Sequence, residues 1–188
     1  AAAVINPRRE DNGYPYRDFA GVGVAYKLAQ ALLRANREVP LKQTRDDLQK
    51  RELLDLVALG TVADLVPLLG ENHVLVREGL DVINEGRRPG LAALMQVLGI
   101  KPGEVRASTI AFVLAPRLNA AGRLEDAMPA YELLRAPDFD HALKLARKLE
   151  ELNRRRRDLT SYIQLRARTL LMEQGGDDAL VVHFHVYE

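Results

Sequence analysis

Cysteine and tryptophan are absent from this 188-residue chain, and aromatic residues make up only 5% of it. Without cysteine, the chain has neither disulfide bonds nor thiolate metal ligands. With so few aromatic side chains, an extended platform for stacking nucleobases is not expected. No apolar run reaches the length of about 18 residues that a membrane helix needs, so we expect a cytoplasmic protein without a membrane span.

The charged residues nearly cancel in number but are unevenly distributed. Lysine and arginine total 27 and aspartate and glutamate total 26, which gives a formal net charge of +1. Residues 46–85 carry nine acidic and three basic side chains, a net charge of −6, whereas residues 140–172 carry nine basic and four acidic ones, a net charge of +5. Acidic surface suits metal ions and basic surface suits phosphates, so the distribution allows both kinds of ligand.

Hydrophobic periodicity and turn residues predict a mainly helical chain. The predicted helices cover residues 19–36, 46–59, 71–85, 90–98, 104–114, 126–134 and 139–173. Asp18 is expected to cap the first helix, and Gly60 is expected to end the second. We also expect short strands at 1–5 and 179–186 and a loop at 115–124.

The last predicted helix is long. Residues 139–174 contain neither proline nor glycine, and leucine and isoleucine recur along one helical face. About 35 residues at about 1.5 Å each would span roughly 50 Å. A helix of this length typically connects two domains, and we expect its apolar face to be partly exposed in a chain of this size.

Asp64 is the only charged residue in the segment ALGTVADLVPL, residues 58–68. An ionised carboxylate among apolar residues is costly unless something compensates its charge. Carboxylate oxygen is a hard ligand that suits Mg²⁺ or Mn²⁺. The pattern fits two other roles equally well, a cap for a helix starting near Leu65 or a place at the surface of a turn. One carboxylate alone does not make a metal site.

The segment APRLNAAGRL, residues 115–124, combines Arg117, Asn119, Gly122 and Arg123. Arginine can bind a phosphate through two parallel hydrogen bonds, and glycine allows the backbone to approach a ligand closely. These residues therefore predict a phosphate contact. The alternative is a loop with solvated arginine side chains.

Two further groups are candidate binding residues. The four arginines at 154–157 (Arg154, Arg155, Arg156, Arg157) cover every side of the long helix, so at least one must face inward. They would contact a phosphate backbone without sequence preference, or form a solvated and ion-paired helix surface. His183 and His185 lie on one face of the predicted last strand, a spacing that can hold a metal but also arises incidentally.

Three segments together resemble one family. They are AVINPRREDNGYPYRDFAGVGVAYKLAQAL (residues 3–32), LLDLVALGTVADLVPLLGEN (53–72) and APRLNAAGRLEDAMPAYELL (115–134). In order and spacing they are similar to the RecJ branch of the DHH phosphoesterase superfamily. The resemblance extends over about residues 1–171, and it is the combination of segments that is specific.

This resemblance implies a two-lobed α/β enzyme. A parallel-sheet domain would hold two Mn²⁺ or Mg²⁺ ions, a long helix would join it to a smaller domain, and single-stranded DNA would pass between the two. The implied activity is 5′–3′ hydrolysis of single-stranded DNA in DNA repair and recombination. Implied partners are a single-stranded-DNA-binding protein and a helicase. Asp64 matches the last metal-binding aspartate of the first domain, and Arg117, Asn119 and Arg123 match a loop near the active site.

The resemblance also predicts three parts. Residues 1–137 would be the C-terminal portion of the catalytic domain, 138–174 the connecting helix, and 175–188 the first strand of a second domain. The family's Asp-His-His motif and an earlier Asp-rich motif are not in this sequence. The segment VVHFHVYE does not align, and His73 stands where arginine is usual.

We therefore expect these residues alone to bind metal poorly and not to hydrolyse DNA. Two alternatives remain for the whole protein. One is another DHH phosphoesterase that acts on oligonucleotides or cyclic dinucleotides. The other is a catalytically inactive DNA-replication scaffold.

Overall fold

Helices form nearly all of the regular structure in the computed structural model, which describes residues 4–11, 13–39 and 50–173. In chain order they are α1 (Gly21–Glu38), a 3₁₀ turn (Lys50–Leu53), α2 (Leu54–Ala63), α3 (Gly70–Asn84), α4 (Pro89–Val97), α5 (Ala107–Thr109), a π-helical turn (Ile110–Leu114), α6 (Ala115–Leu124), α7 (Met128–Leu134) and α8 (Phe139–Glu173). The predominantly helical character predicted from the sequence is confirmed.

The predicted sheet has no counterpart in the described ranges, where no residue lies in a strand. The prediction of a buried strand at residues 1–5 is wrong for Val4 and Ile5, which are 69% and 57% exposed and lack strand structure. A strand needs a neighbour to satisfy its backbone groups, and the helices here offer none. The predicted strand at 179–186 lies outside the described residues.

Two apolar clusters hold the helices together, and α2 contributes to both. The larger cluster lies between α2, α3, α4, the π turn, α6, α7 and α8, and its fully buried members include Ala58, Leu94, Ile110, Leu114 and Leu149. The smaller cluster joins α1 to α2 and α3 through Phe19, Tyr26, Leu54, Val57, Leu75 and Val82. Because both clusters hold α2, the position of its C-terminal end is well defined.

Two predicted helix boundaries are wrong for identifiable reasons. Asp18 does not cap α1, because the N-cap residue is Ala20 and no side chain forms a capping hydrogen bond there. Asp18 instead forms an ion pair with Arg8 at 3.6 Å. Gly60 does not end α2, which continues to Ala63. A Cβ atom at Gly60 would lie 2.8 Å from Val22 Cγ1, so this glycine allows α1 to approach α2.

Residues 115–124 form helix α6, so the prediction of a loop is wrong. The helical path is continuous from Ala107 to Leu124, with the π-helical turn in its middle. Pro116 lies in the first turn of α6, where its missing N–H is tolerated. Ala120 and Ala121 are fully buried, and α6 packs closely on α8. Tertiary burial therefore overrides the local turn signals of Asn119 and Gly122.

The long helix is confirmed, with α8 running unbroken through 35 residues. Its first half is packed against α4, α6 and α7 through Ala142, Ala146, Leu149 and Leu152. In its second half, Tyr162 is 65% exposed and Leu165 is 66% exposed. The expectation of a partly exposed apolar face is therefore confirmed. Among the described residues, no helix is both long enough and apolar enough to cross a membrane.

Candidate functional site

Asp64 lies in an exposed turn immediately after α2. Its backbone N–H donates to the Gly60 carbonyl at 3.0 Å, which makes it the C-cap of α2. The alternative of a cap at the start of a following helix is therefore wrong, whereas a position at the surface of a turn is correct. Within the described part of the chain, the Asp64 carboxylate forms no ion pair or hydrogen bond and is available to a ligand.

The residue after Asp64 has an unusual backbone conformation. Leu65 has a φ of 57° and is the only non-glycine residue with positive φ in the described ranges. The left-handed region costs a leucine on the order of 1–2 kcal/mol because its Cβ crowds the backbone. Leu65 is also 86% exposed, so burial of its side chain does not compensate this cost. Strain of this kind is commonly found at functional sites, and here it adjoins the candidate metal ligand.

Asp64 borders a shallow concavity between three helices. Its walls come from the start of α1, the end of α2 and the middle of α6, namely Ala20, Gly21, Val22, Gly60, Ala63, Asp64 and Asn119. The N-terminus of α1 supplies partial positive charge and unpaired backbone N–H groups, which attract anions. The concavity thus places a carboxylate that can bind a cation beside a helix end that can bind an anion.

A second concavity extends this surface along α6. It is lined by Leu118, Asn119, Gly122, Arg123 and Ala127, so Asn119 borders both concavities. Arg123 is exposed and forms no ion pair with any described residue. The structure therefore brings Asp64, Asn119 and Arg123 onto one continuous surface, although the sequence separates Asp64 from the other two.

Arg117 does not share this surface. Its Nε donates to Glu150 Oε2 on α8 at 2.8 Å, and its Nη1 donates to the Val113 carbonyl at 3.0 Å. The Arg117 side chain is only 14% exposed. These contacts give Arg117 a structural role in joining α6 to α8, and its predicted contact with phosphate is not supported by its position.

The four arginines at 154–157 all have partners. Three outward-facing side chains pair with carboxylates: Arg154 with Glu151 at 2.7 Å, Arg155 with Glu125 at 3.7 Å and Arg157 with Glu150 at 3.9 Å. Arg156 faces inward, as at least one of the four must, and donates to Asn153 Oδ1 at 3.3 Å. This is the ion-paired helix surface that the sequence left as an alternative, and contact with DNA stays a prediction.

A complete metal site is not formed by the described residues, since no group of three or more His, Cys, Asp or Glu side chains lies close enough together. Asp64 fits a divalent cation as one exposed, unpaired oxygen ligand. His73 is exposed on α3, and the histidines at 183 and 185 lie outside the described residues. The fit is therefore that of a partial donor set, which would need further ligands from outside the described residues.

A polar group that joins α1 to the start of α3, made of Tyr14, Lys27 and Glu71, was not predicted from the sequence. The Tyr14 hydroxyl donates to Glu71 Oε1 at 2.6 Å, and Lys27 Nζ forms an ion pair with Glu71 Oε2. Burial raises the pKa of Glu71, but hydrogen bonds from Lys27 and Tyr14 outweigh burial and lower that pKa below its usual value. These contacts join residues 44 and 57 positions apart, which no local pattern would reveal.

Comparison with known proteins adds to this geometry. No protein-family model matches the chain. It is 41% identical over 180 residues to the single-stranded-DNA-specific exonuclease RecJ of Bacillus subtilis (strain 168), an alignment that covers 96% of this chain. It is 42% identical over 173 residues to the protein of the same name from Escherichia coli (strain K12), which covers 90% of the chain. The chain is homologous to part of RecJ. It spans 21% of the B. subtilis protein and 30% of the E. coli protein.

Solved RecJ structures have the same fold over most of this RecJ-like chain. The crystal structure of Thermus thermophilus RecJ in complex with Mg²⁺ matches with a TM-score of 0.68 and 35% identity, covering 82% of this chain and 23% of that one. A crystal structure of exonuclease RecJ bound to manganese matches with a TM-score of 0.69 and 35% identity, covering 86% and 38%. The helical arrangement described above is thus similar to that of a segment of these RecJ structures.

Proposed function

We propose that the protein carrying this chain is a divalent-metal-dependent exonuclease that degrades single-stranded DNA from the 5′ end by a two-metal mechanism, in DNA repair and recombination. The observation that carries the proposal is the identity of 38–44% to RecJ exonucleases across most of the chain. Metal dependence is supported by RecJ crystal structures in complex with Mg²⁺ or Mn²⁺. In this proposal the helices described here form part of the catalytic domain (residues 1–137), α8 is the connecting helix, and residues 175–188 begin a second domain.

Asp64 has the role of a metal ligand in this proposal. Its carboxylate is exposed, has no partner among the described residues, and borders a concavity that also presents the N-terminus of α1. When bound, the metal ions would polarise the phosphodiester and supply a nucleophilic hydroxide. The chain's own contribution would be to hold one metal ligand and to bind the substrate phosphates near Asn119 and Arg123.

The direct test is Asp64→Asn in the whole protein, assayed on 5′-labelled single-stranded DNA with Mn²⁺. We expect activity to fall on the order of 100-fold or more, because a ligand charge is lost while the side chain keeps its shape. Asp81→Asn is the matched control, since Asp81 is also exposed and lies on α3, away from the concavity. Equal activity of Asp64→Asn and wild type would contradict the assignment.

Assays with different substrates separate this function from its alternatives. An enzyme that prefers cyclic dinucleotides or short oligonucleotides to long single strands would be the other kind of DHH phosphoesterase. A wild-type protein that binds DNA but hydrolyses none of these substrates with either metal would be a scaffold. Release of label from the 5′ end but not the 3′ end of a single strand, with duplex DNA resistant, is the result expected here. Binding to a single-stranded-DNA-binding protein and to a helicase is a separate proposal.

The two arginines of α6 should behave differently. Arg123→Ala should weaken binding to single-stranded DNA and reduce the slope of log affinity against log salt by about 1, since one phosphate contact is lost. Arg117→Ala should instead lower stability, because it leaves Glu150 without its buried partner. Gln substitutions at 154–157 test whether those arginines also contact DNA. An unchanged slope of log affinity against log salt would exclude that contact.

A further inference from the structure

Asn72, near the start of α3, connects two segments that lead to residues lining the concavity. Its side chain is fully buried, at 0% exposure. Its Nδ2 donates to the Asp18 carbonyl at 2.7 Å and to the Pro67 carbonyl at 2.9 Å. Asp18 precedes α1, whose first residues line the concavity, and Pro67 follows Asp64 in the connection from α2 to α3. One side chain therefore holds both segments at once.

Contacts around Asn72 strengthen this connection. The Tyr16 hydroxyl donates to the Leu69 carbonyl at 2.8 Å, and the Tyr14 hydroxyl donates to Glu71 at 2.6 Å. We call this set of contacts, between residues 14–18 and residues 67–72, the clasp. Asn72 is the clasp residue with the most complete burial, and its two hydrogen bonds are partly buried.

The structural contribution of Asn72 comes from its two donors. Both N–H bonds of the amide are used, while Oδ1 is buried and has no partner in the described part of the chain. A buried polar atom without a partner is unfavourable and calls for an explanation. An apolar side chain would remove this defect but would leave the Asp18 and Pro67 carbonyls without donors.

The segment that carries Asp64 needs such an anchor. Residues 65–69 lack regular structure. Within the turn itself, the backbone is held by hydrogen bonds from Asp64 N to the Gly60 carbonyl at 3.0 Å and from Leu65 N to the Val62 carbonyl at 3.2 Å. Leu65 is strained at a φ of 57°, and its backbone would relax toward negative φ if the residues after it were free to move. The hydrogen bond from Asn72 to the Pro67 carbonyl holds those residues in place.

We propose that Asn72 is a positioning residue, which holds the Asp64 turn against the start of α1 and thereby sets the affinity of the site for a divalent cation. The proposal rests on the assignment of Asp64 as a metal ligand. Metal ligands must be held closely, and residues that orient them from behind typically change metal affinity by about 10- to 100-fold when replaced.

The test measures the Kd for Mn²⁺ by calorimetric titration of the whole protein, together with its urea unfolding midpoint. We expect Asn72→Ala to raise the Kd by about 10- to 100-fold. Asn84→Ala is the matched control, because Asn84 is the last residue of the same helix and also binds a loop backbone. Its Nδ2 donates to the Val105 carbonyl at 3.0 Å, and its Oδ1 accepts from Gly103 N and Val105 N, each at 3.0 Å. Asn84→Ala should lower the unfolding midpoint and leave the Kd unchanged.

Tyr16→Phe is a second, milder variant that removes one clasp hydrogen bond and leaves the ring in place. It should raise the Kd roughly threefold to tenfold, as expected for one hydrogen bond. If Asn72→Ala does not fold, Tyr16→Phe decides the question. Faster amide hydrogen exchange in peptides covering 64–70 of Tyr16→Phe, with no change in peptides covering 101–106, would support a local effect.

The outcomes separate this inference from the proposed function. If Asp64→Asn binds Mn²⁺ as wild type does, the metal-ligand assignment fails and the inference fails with it. If Asp64→Asn weakens binding but the clasp variants do not, the positioning role alone is overturned. If Asn84→Ala weakens Mn²⁺ binding as much as Asn72→Ala does, the effect is general destabilisation, and the positioning role is again overturned.

Discussion

Replacing Arg88 tests how the helices around the site are held together. Arg88 precedes α4 and donates from Nε and Nη2 to the two carboxylate oxygens of Asp55 on α2, at 2.5 and 2.9 Å. It also donates to the Leu134 carbonyl at the end of α7, at 3.2 Å, and to the Glu52 carbonyl, at 3.1 Å. Asp55 is 3% exposed, so its carboxylate is buried, and the ion pair with Arg88 joins three helices.

The geometry predicts an asymmetric cost. Among the described residues, Arg88→Met leaves the buried Asp55 carboxylate with only the Leu56 N–H as a donor, at 2.7 Å, and should destabilise the protein by about 3–5 kcal/mol. Asp55→Leu leaves Arg88 with both carbonyl partners and a side chain 23% exposed to water, so it should cost only about 1–3 kcal/mol. The double variant removes both charges and should be more stable than Arg88→Met alone.

Urea unfolding followed by far-UV circular dichroism, at neutral pH, gives all three free energies of unfolding in one double-mutant cycle. The cost of Arg88→Met would be a fifth or more of the total stability of an ordinary domain, about 5–15 kcal/mol, so it should be readily measured. If Arg88→Met cost no more than Asp55→Leu, the reasoning from burial and partner number would be refuted.

Three further substitutions test other features. Gly79→Ala places a Cβ 2.2 Å from the Leu54 carbonyl oxygen and should cost about 1–3 kcal/mol in urea unfolding, whereas Gly21→Ala meets nothing within 4 Å and should cost nothing. Glu71 has a lowered pKa when folded, so its ion pair stabilises the protein above about pH 4.5 and is lost as pH falls through the folded pKa. Glu71→Gln should therefore lose on the order of 1 kcal/mol at neutral pH and show a shallower loss of stability in acid than wild type. Leu65→Gly should be nearly neutral in the same assay, because relief of about 1 kcal/mol of left-handed strain offsets the flexibility of glycine. A cost as large as that of Leu28→Gly within α1 would indicate that Leu65 is not strained.

Local signals predicted the elements whose boundaries depend on local chemistry. Helix α8 begins at the predicted residue and continues through residue 173, the last one described, because this span lacks proline and glycine and carries an apolar stripe. Helix α3 ends beside Gly86, whose φ of 66° suits the end of a helix. In these cases the residues that specify the boundary are also the residues that form it.

Elements whose boundaries depend on a distant partner were mispredicted. Glycine is a residue that commonly ends a helix, yet Gly60 lies inside α2 because α1 packs on it. Residues 115–124 contain proline, asparagine and two arginines, yet they form a helix because Ala120 and Ala121 are buried beside α8. The deciding contacts join residues far apart in sequence, and a single sequence does not reveal them.

The site shows the same division. Motif resemblance predicted Asp64, Asn119 and Arg123 as site residues, and these three residues line adjoining concavities in the structure. Their supporting contacts were not predicted, since Asn72 binds a carbonyl 54 positions away and Arg117 binds a carboxylate 33 positions away. A motif identifies the residues of a site, whereas the residues that hold them in place are specified by the fold.

Arg117 illustrates what this support does for the site. It lies in the same helix as Asn119 and Arg123, but its guanidinium is held by Glu150 on α8. Glu150 also pairs with Arg157, at 3.9 Å. Glu150 lies one turn before the exposed half of α8 begins. Arg117 of α6 and Arg157 of α8 thus share the Glu150 carboxylate. Glu150 belongs to α8, the helix whose second half is largely exposed. Ala120 and Ala121 of α6 are buried, α6 packs on α8, and Arg117 pairs with Glu150 of α8, so α8 helps to fix the position of α6. The orientation of Asn119 and Arg123 relative to Asp64 is therefore set by the packing of α8 as well as by the residues of α6 itself.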